Sequence, residues 1–346
     1  MGIRIIYRFS YLVCIVILAG ACGYHSGKVE PSFYYWKTVY QPDSIEKNAV
    51  KSMDANRLFI RMMDIDTQGP NGEAIPVSAI TFPGPLPDTV AVVPVVYIVN
   101  QVLYDLSETE RDSLAARIYR FVKGKVRQAG KQDFTELQLD CDWTATTRDT
   151  YFDLLAALRE QVGDTVRLTA TLRLHQVRNR RSSGIPPVDR VLLMCYNMGN
   201  LRQSGEHNSI LDLHEMETYL KEFLPDYPLP VDIALPLFSW SVVFRDGQYA
   251  GISKRLDPRL LSDTARFAHR EGSALYRLKV SLPEAGLRAG DVVRREETRW
   301  KDLRSAADFL AAYKRREDFT LLFYHLDSQV LQAFSNEQLQ EIIDRF

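Results

Sequence analysis

The chain has 346 residues, 46% hydrophobic and 25% charged, which provides ample apolar material for one large α/β domain or two small ones. Its 43 Lys and Arg against 44 Asp and Glu leave a formal charge of -1, so no global field draws it to nucleic acid. No G-x-G-x-x-G follows an apolar run, and neither G-x-x-x-x-G-K-[ST] nor G-x-S-x-G occurs, which argues against dinucleotide, P-loop and nucleophile-elbow chemistry.

The N-terminus has the order of a targeting segment. Arg4 and Arg8 precede an apolar run over 11–18, followed by Ala19-Gly20-Ala21-Cys22. A Cys directly after small residues resembles the bacterial lipobox, with Leu18 one position further out than usual. The resemblance implies a signal peptide over 1–22, lipid attached to Cys22 and a membrane anchor. A plain secretory signal or an uncleaved anchor helix is the alternative, although the apolar run is short for a spanning helix. Residues 23–31 have no hydrophobic pattern and are expected to be a tether.

Strands are expected at 32–40, rich in aromatics, at 57–66, ending on Asp64 and Asp66, and at 90–100, a continuous apolar run. A Gly/Pro-rich loop over 69–88 separates the last two. Ser107 to Glu110 is a capping box that opens a helix carrying Leu114, Ile118, Phe121 and Val122. A fourth strand, 137–144, reads L-Q-L-D-C-D-W-T, and a helix follows from about Thr147. Strands five and six are expected at 166–174 and 188–197, with a solvated loop through Arg178 to Arg181 between them. A helix at 211–224 leads to strand seven at 231–240.

The rhythm then breaks. Residues 241–300 hold short alternating runs, expected to form an inserted small α+β subdomain. A helix at 303–315, strand eight at 318–327 and a helix opened by the capping box Ser335 to Gln338 complete the chain. Eight apolar strands, most followed by a helical pattern, predict an α/β chain forming a (β/α)8 barrel over 32–346 with the insertion after strand seven. A doubly wound open sheet is the alternative.

In such a barrel the strands' carboxyl ends form the functional face. The residues there are Trp36, Asp64, Asp66, Tyr97, Asn100, Asp140, Asp142, Trp143, His175, Tyr196, Asn197, Trp240, Tyr324 and His325. Aromatic faces stack on sugar rings, and carboxylates bind hydroxyls or move protons. Side chains alternate along a strand, so Gln138, Asp140, Asp142 and Thr144 share one face. By the same alternation Cys141 and Cys195 point outward to the helix layer. They lie two strands apart, roughly 9 to 10 Å, too far for a disulfide. The six His are scattered without a metal-ligand spacing, so no metal or other cofactor is expected.

Two strands carry a more specific signal. Asp140-Cys141-Asp142-Trp143-Thr144 resembles the strand-four signature D-x-D-W-E of family 18 glycoside hydrolases, the chitinase-like barrels. Met194-Cys195-Tyr196-Asn197 resembles the M-x-Y-D of that family's sixth strand, and the insertion after strand seven matches its usual place. The resemblance also extends to uncharacterised bacterial lipoproteins with glycosidase-like barrels. It implies that Asp142 assists the N-acetyl group of a substrate, that Asp140 is the motif's first carboxylate and that Tyr196 steadies the reacting amide. Trp36, Asp64, Asp66, Asn100, Trp143, Asn197, Trp240, Tyr324 and His325 would line the binding rim. The family's general acid is the Glu of the strand-four motif, and Thr144 stands there. Asn197 stands for an Asp.

These features imply a lipid-anchored protein of the bacterial cell envelope, on the periplasmic side of the outer membrane or on the cell surface, that binds or hydrolyses glycans. If the barrel still turns over substrate, a carboxylate such as Asp142, Asp64 or Asp66 must supply the missing acid. The alternative is a non-catalytic structural or assembly lipoprotein that acts through protein partners.

Overall fold

The computed structural model describes residues 27–346 apart from 70, 71 and 105. The signal segment and Cys22 lie outside the described residues, as do residues 23–26 of the expected tether. Among the described residues no helix is long and apolar enough to cross a membrane.

Eight parallel strands close on themselves: β1 (Val29–Tyr35), β2 (Arg57–Asp66), β4 (Ala91–Ile98), β5 (Glu136–Cys141), β6 (Arg167–Arg173), β7 (Arg190–Met194), β8 (Val231–Pro236) and β14 (Phe319–Tyr324). Closure runs through two pairings of β1, Phe33 with Leu58 of β2 and Val29 with Phe319 of β14. The (β/α)8 barrel expected from the sequence is therefore the fold. Its first strand starts earlier than the pattern suggested, because Val29 to Pro31 pair with Phe319 to Leu321. The short β3 (Ile75–Val77) runs antiparallel to the end of β2. Pro94 sits inside β4 without breaking it, since pairing to β5 begins one residue later, at Val95 with Gln138.

The outer layer is built from α1 (Ser44–Ser52), α2 (Glu108–Gln128), α3 (Arg148–Val162), α4 (Leu174–Arg178), α5 (Arg180–Ser183), α6 (Leu213–Leu220), α7 (Trp300–Tyr313), α8 (Ser328–Leu331) and α9 (Asn336–Ile343). The capping boxes at Ser107 and Ser335 open α2 and α9. A third, Asp43 with Glu46, opens α1, a helix that the hydrophobic pattern did not predict. The run Arg178 to Arg181, expected as a loop, is the junction of α4 and α5, where the Gln176 side chain accepts from Arg173 N at 2.8 Å and donates to Trp143 O at 3.2 Å.

Outward residues of the strands pack with the helices into the main core, which includes Cys141 and Cys195, both buried free thiols. The barrel interior is filled in layers. Across the amino-terminal end lies a polar layer. Arg57 pairs with Glu136 at 2.6 Å and Glu30 at 2.7 Å, and Arg190 pairs with Asp232 at 2.9 Å. The middle layer is apolar: Tyr34, Phe59, Val93, Val95, Leu192, Ala234 and Leu322. The next layer toward the carboxyl end carries the candidate site.

After β8 the chain forms a second, antiparallel sheet in the order β10-β9-β13-β12-β11. Its strands are β9 (Ser239–Arg245), β10 (Gln248–Ile252), β11 (Phe267–His269), β12 (Leu275–Leu278) and β13 (Val292–Glu297). Two 3-10 turns, Pro258–Ser262 and Pro283–Ala285, supply its helical part. It has its own small core of Val243, Leu256, Leu261, Phe267, Leu278 and Val293.

Candidate functional site

A cleft of about 1300 Å³ opens between the carboxyl end of the barrel and the inserted sheet. Strand alternation delivers its floor. Trp36, Tyr196, Phe238, Trp240 and Tyr324 form one continuous aromatic surface, backed from below by the buried Tyr34. Tyr324 is the hub, with its ring centroid 5.7 Å from Trp36, 5.2 Å from Tyr196 and 5.6 Å from Phe238. Phe238 extends the surface to Trp240 at 5.2 Å. Trp240 is fixed at its edge, its Nε1 donating to Glu296 Oε2 at 3.0 Å.

The polar groups stand around this surface. Asp140 is buried at the end of β5 and accepts from Thr171 Oγ1 at 2.7 Å. Burial pushes its carboxyl up to about 7. The hydrogen bond from Thr171 opposes this, and the charge of nearby Asp142 adds to it. Asp142, two residues on and on the same face, is half-exposed and ion-paired to Arg173 Nη1 at 3.0 Å. Asp64 approaches Arg61 at 3.5 Å, and burial raises its carboxyl above the usual range. Burial likewise raises Tyr196 far above its ordinary value and Tyr97 to about 12, so both phenols stay neutral hydrogen-bonding groups. His325 is lowered, again by burial.

Arg61 and Asp64 share the cleft although an odd spacing should place them on opposite faces. The register of β2 against β4 shifts between Arg61 and Met63, and this bulge restores Asp64 to the inside. Asn197, just beyond β7, adopts the left-handed conformation (φ 55°), which Asn tolerates better than most residues. Its N–H donates to Ile210 O at 2.9 Å.

Of the residues singled out from sequence, Trp36, Asp64, Tyr97, Asp140, Asp142, Tyr196, Asn197, Trp240, Tyr324 and His325 line this one cleft. Four do not. Asp66 pairs with Ile75 of β3, and its carboxylate accepts from Thr67 N at 2.8 Å and Gln68 Nε2 at 2.6 Å. Asn100 follows β4 in a 3-10 turn and accepts from Thr147 Oγ1 at 2.6 Å. Trp143 turns outward, stacks on Tyr151 at 5.2 Å and donates from Nε1 to Ser183 O at 2.9 Å. His175 lies exposed on α4.

Thr144 is exposed, and its hydroxyl lies 2.8 Å from that of Thr146 and 3.2 Å from that of Thr147. Among the described residues no group of three or more His, Cys, Asp or Glu is disposed to hold a metal ion. Sequence reasoning missed Arg61, Arg173, Phe238 and the basic residues of the inserted sheet, Lys254, Arg255, Arg259 and Arg295. A signal for Arg173 was present, because it alternates with Thr169 and Thr171 on β6 just as Asp140 alternates with Gln138 on β5.

The arrangement offers an aromatic floor for an apolar ring face, carboxylates and amides for hydroxyls, and a buried carboxyl that retains its proton near neutral pH. No family model and no curated protein matches the chain. Solved structures do. The spore cortex-lytic enzyme SleL of Bacillus cereus superposes with a TM-score of 0.56 at 12% identity, over 93% of this chain and 75% of that one. A chitinase from Bacteroides thetaiotaomicron gives 0.53 at 9% identity, over 92% and 95%. The Group IV chitinase of Ostrinia furnacalis, solved in complex with allosamidin, gives 0.51 at 8% identity, over 91% and 97%. The fold is thus that of a chitinase-like TIM barrel.

Proposed function

We propose that this chain is an exported, lipid-anchored protein of the bacterial cell envelope whose barrel binds glycans in the cleft above Asp140, Asp142 and Tyr196. One observation carries the reading: an unbroken aromatic surface from Trp36 through Tyr324 to Trp240 lies in the same cleft as Asp64, Asp140 and Asp142. That combination suits a sugar, with apolar ring faces and polar edges. The likeness to chitinases and a cortex-lytic enzyme supports it at the level of fold.

Recognition is favoured over turnover by the family's usual route. Position 144 holds a threonine whose hydroxyl is engaged with its own loop, so the proton donor of that route is missing. In this reading Asp142 and Arg173 bind polar groups of a sugar. Hydrolysis is the second reading. It is favoured by the raised carboxyls of Asp140 and Asp64: burial lifts Asp140 to about 7, where it can hold a proton in the cleft close to neutral pH, and burial also raises Asp64. A purely structural role through protein partners is best served by a closed, dry barrel top, and this one is open.

The test incubates the full chain, in mild detergent, with N-acetylated and plain oligosaccharides, followed by mass spectrometry of products and retention on immobilised glycan. Retention without products, weakened at least about tenfold by Trp36→Ala and Asp142→Ala, is expected, since an aromatic face and charged hydrogen bonds are each worth on the order of 1 kcal/mol or more. New products that disappear in Asp140→Asn or Asp64→Asn select hydrolysis. Neither products nor retention removes the glycan reading.

A further inference from the structure

The charges that line the cleft do not balance, and the excess lies on one element. Arg61, Arg173 and Arg259 each have a carboxylate partner: Asp64 at 3.5 Å, Asp142 at 3.0 Å and Asp257 at 2.6 Å. The remaining carboxylate, Asp140, is buried and held by Thr171. Three cations are left, Lys254, Arg255 and Arg295, all contributed by the inserted sheet and the segment after β10. Lys254 and Arg255 make no hydrogen bond or ion pair with any described residue. Arg295 is tethered by Nη2 to Ser239 Oγ at 2.5 Å, and its nearest carboxylate, Glu297, stands 3.9 Å away and 53% exposed.

The Ser239 bond fixes one side of the Arg295 guanidinium, and Ser239 itself lines the cleft between Phe238 and Trp240. The cationic wall therefore begins where the aromatic floor ends. Beside it lies an adjoining depression of about 760 Å³ that shares Pro258, Arg259 and Arg295 with the cleft and adds Lys279, Glu297 and the stacked rings of His269 and Tyr276, 4.1 Å apart.

The geometry points to an anionic subsite on this wall, in which Lys254, Arg255 and Arg295 bind the carboxylate of an acidic sugar while the neighbouring ring lies on the aromatic floor. The inference rests on the glycan reading above and names the class of glycan. Guanidinium forks match carboxylates in planar, bidentate fashion, and two unengaged cations beside a third in a concave wall attract such a group before contact. A neutral glycan would leave Lys254 and Arg255 without a counter-charge and Arg295 with only the exposed Glu297, 3.9 Å away. The carboxylate can belong to a uronic acid or to a lactyl ether on an amino sugar.

The experiment measures binding of the full chain, by calorimetry in mild detergent, to three probes: oligogalacturonate, peptide-free glycan strands bearing lactyl carboxylates, and neutral chito-oligosaccharides. At least one acidic probe is expected to bind at least about tenfold tighter than the neutral one, and to weaken with added salt. Lys254→Ala with Arg255→Ala is expected to remove most of that advantage while moving the neutral probe less than about twofold. An unchanged melting temperature confirms that the double variant is folded. Which acidic probe binds identifies the source of the carboxylate. If the neutral glycan binds as tightly as both acidic ones, and the double variant changes nothing, the anionic subsite is wrong and the glycan reading stands. If no probe binds, both fall.

Discussion

At the scale of single residues, two tryptophans next to functional positions end up with opposite tasks. Trp143 follows Asp142 directly, yet it shares its alternation with Cys141 and belongs to the helix-side core, 3% exposed. Trp240 shares the cleft with Tyr324. The sequence resemblance puts Trp143 on the binding rim, whereas in the structure it keeps the outward alternation of Cys141. What the sequence could not convey was how far a residue at a strand end obeys the pleat once the chain leaves the sheet. Trp143→Phe removes the indole N–H bond to Ser183 O and part of the stack on Tyr151. It is expected to lower stability by about 1–3 kcal/mol in urea unfolding. Glycan retention should be unchanged. A loss of retention with no loss of stability would return Trp143 to the site.

The elements of the barrel were legible because each strand is buried on both faces and punctuated by turns. The local departures were not, because they arise from contacts distant in sequence. The bulge in β2 that turns both Arg61 and Asp64 inward is a matter of register against β4. The basic wall depends on how the inserted sheet sits on the barrel mouth. One pair does much to fix that seat. Arg294, fully buried in β13, donates to Glu296 at 2.6 Å and to the carbonyls of Gln203 at 2.6 Å, Leu201 at 3.1 Å and Gly205 at 3.3 Å. Glu296 in turn accepts from Ser209 N at 2.7 Å, Ser209 Oγ at 2.6 Å and Trp240 Nε1 at 3.0 Å. The connection between β7 and α6 is thus stapled to the insertion. Arg294→Met leaves Glu296 as a buried carboxylate without its cation and orphans the carbonyls, a change expected to cost about 3–5 kcal/mol. The effect should be local first: residues 199–209 lose hydrogen-exchange protection, and early proteolytic cuts fall there. Adding Glu296→Gln removes the stranded charge and should recover part of the loss. Uniform loss of protection across the barrel strands would show that the pair supports the whole fold instead.

For the molecule as a whole, the barrel interior holds two carboxyls whose burial outweighs their partners, one at each end. Asp140 is raised to about 7 and Asp232, beside Arg190, to about 6. An unfolded Asp titrates near about 3.9. Between about pH 4 and pH 7 the native state therefore binds protons that the unfolded chain has released, and the linkage slope is negative: these two groups make stability fall as pH rises through that window and then level off. This is opposite in sign to the contribution of an ion-paired carboxylate such as Asp291, which Arg245 holds below the usual range and which stabilises the fold as pH rises. Asp140→Asn isolates the first group, because the amide oxygen can still accept from Thr171 while the titrating proton is gone. The variant should match the wild type near pH 4 and exceed it progressively up to about pH 7. Each tenfold difference in proton affinity between the folded and unfolded chain is worth about 1.4 kcal/mol, so the difference at the plateau should be on the order of a few kcal/mol, reduced by whatever water the open cleft admits. Urea unfolding at half-unit pH steps reads this directly. A constant gap between variant and wild type at all pH values would mean that Asp140 keeps an ordinary carboxylate in the folded barrel. It would then lose its place as a candidate acid, and the case for recognition over turnover would strengthen.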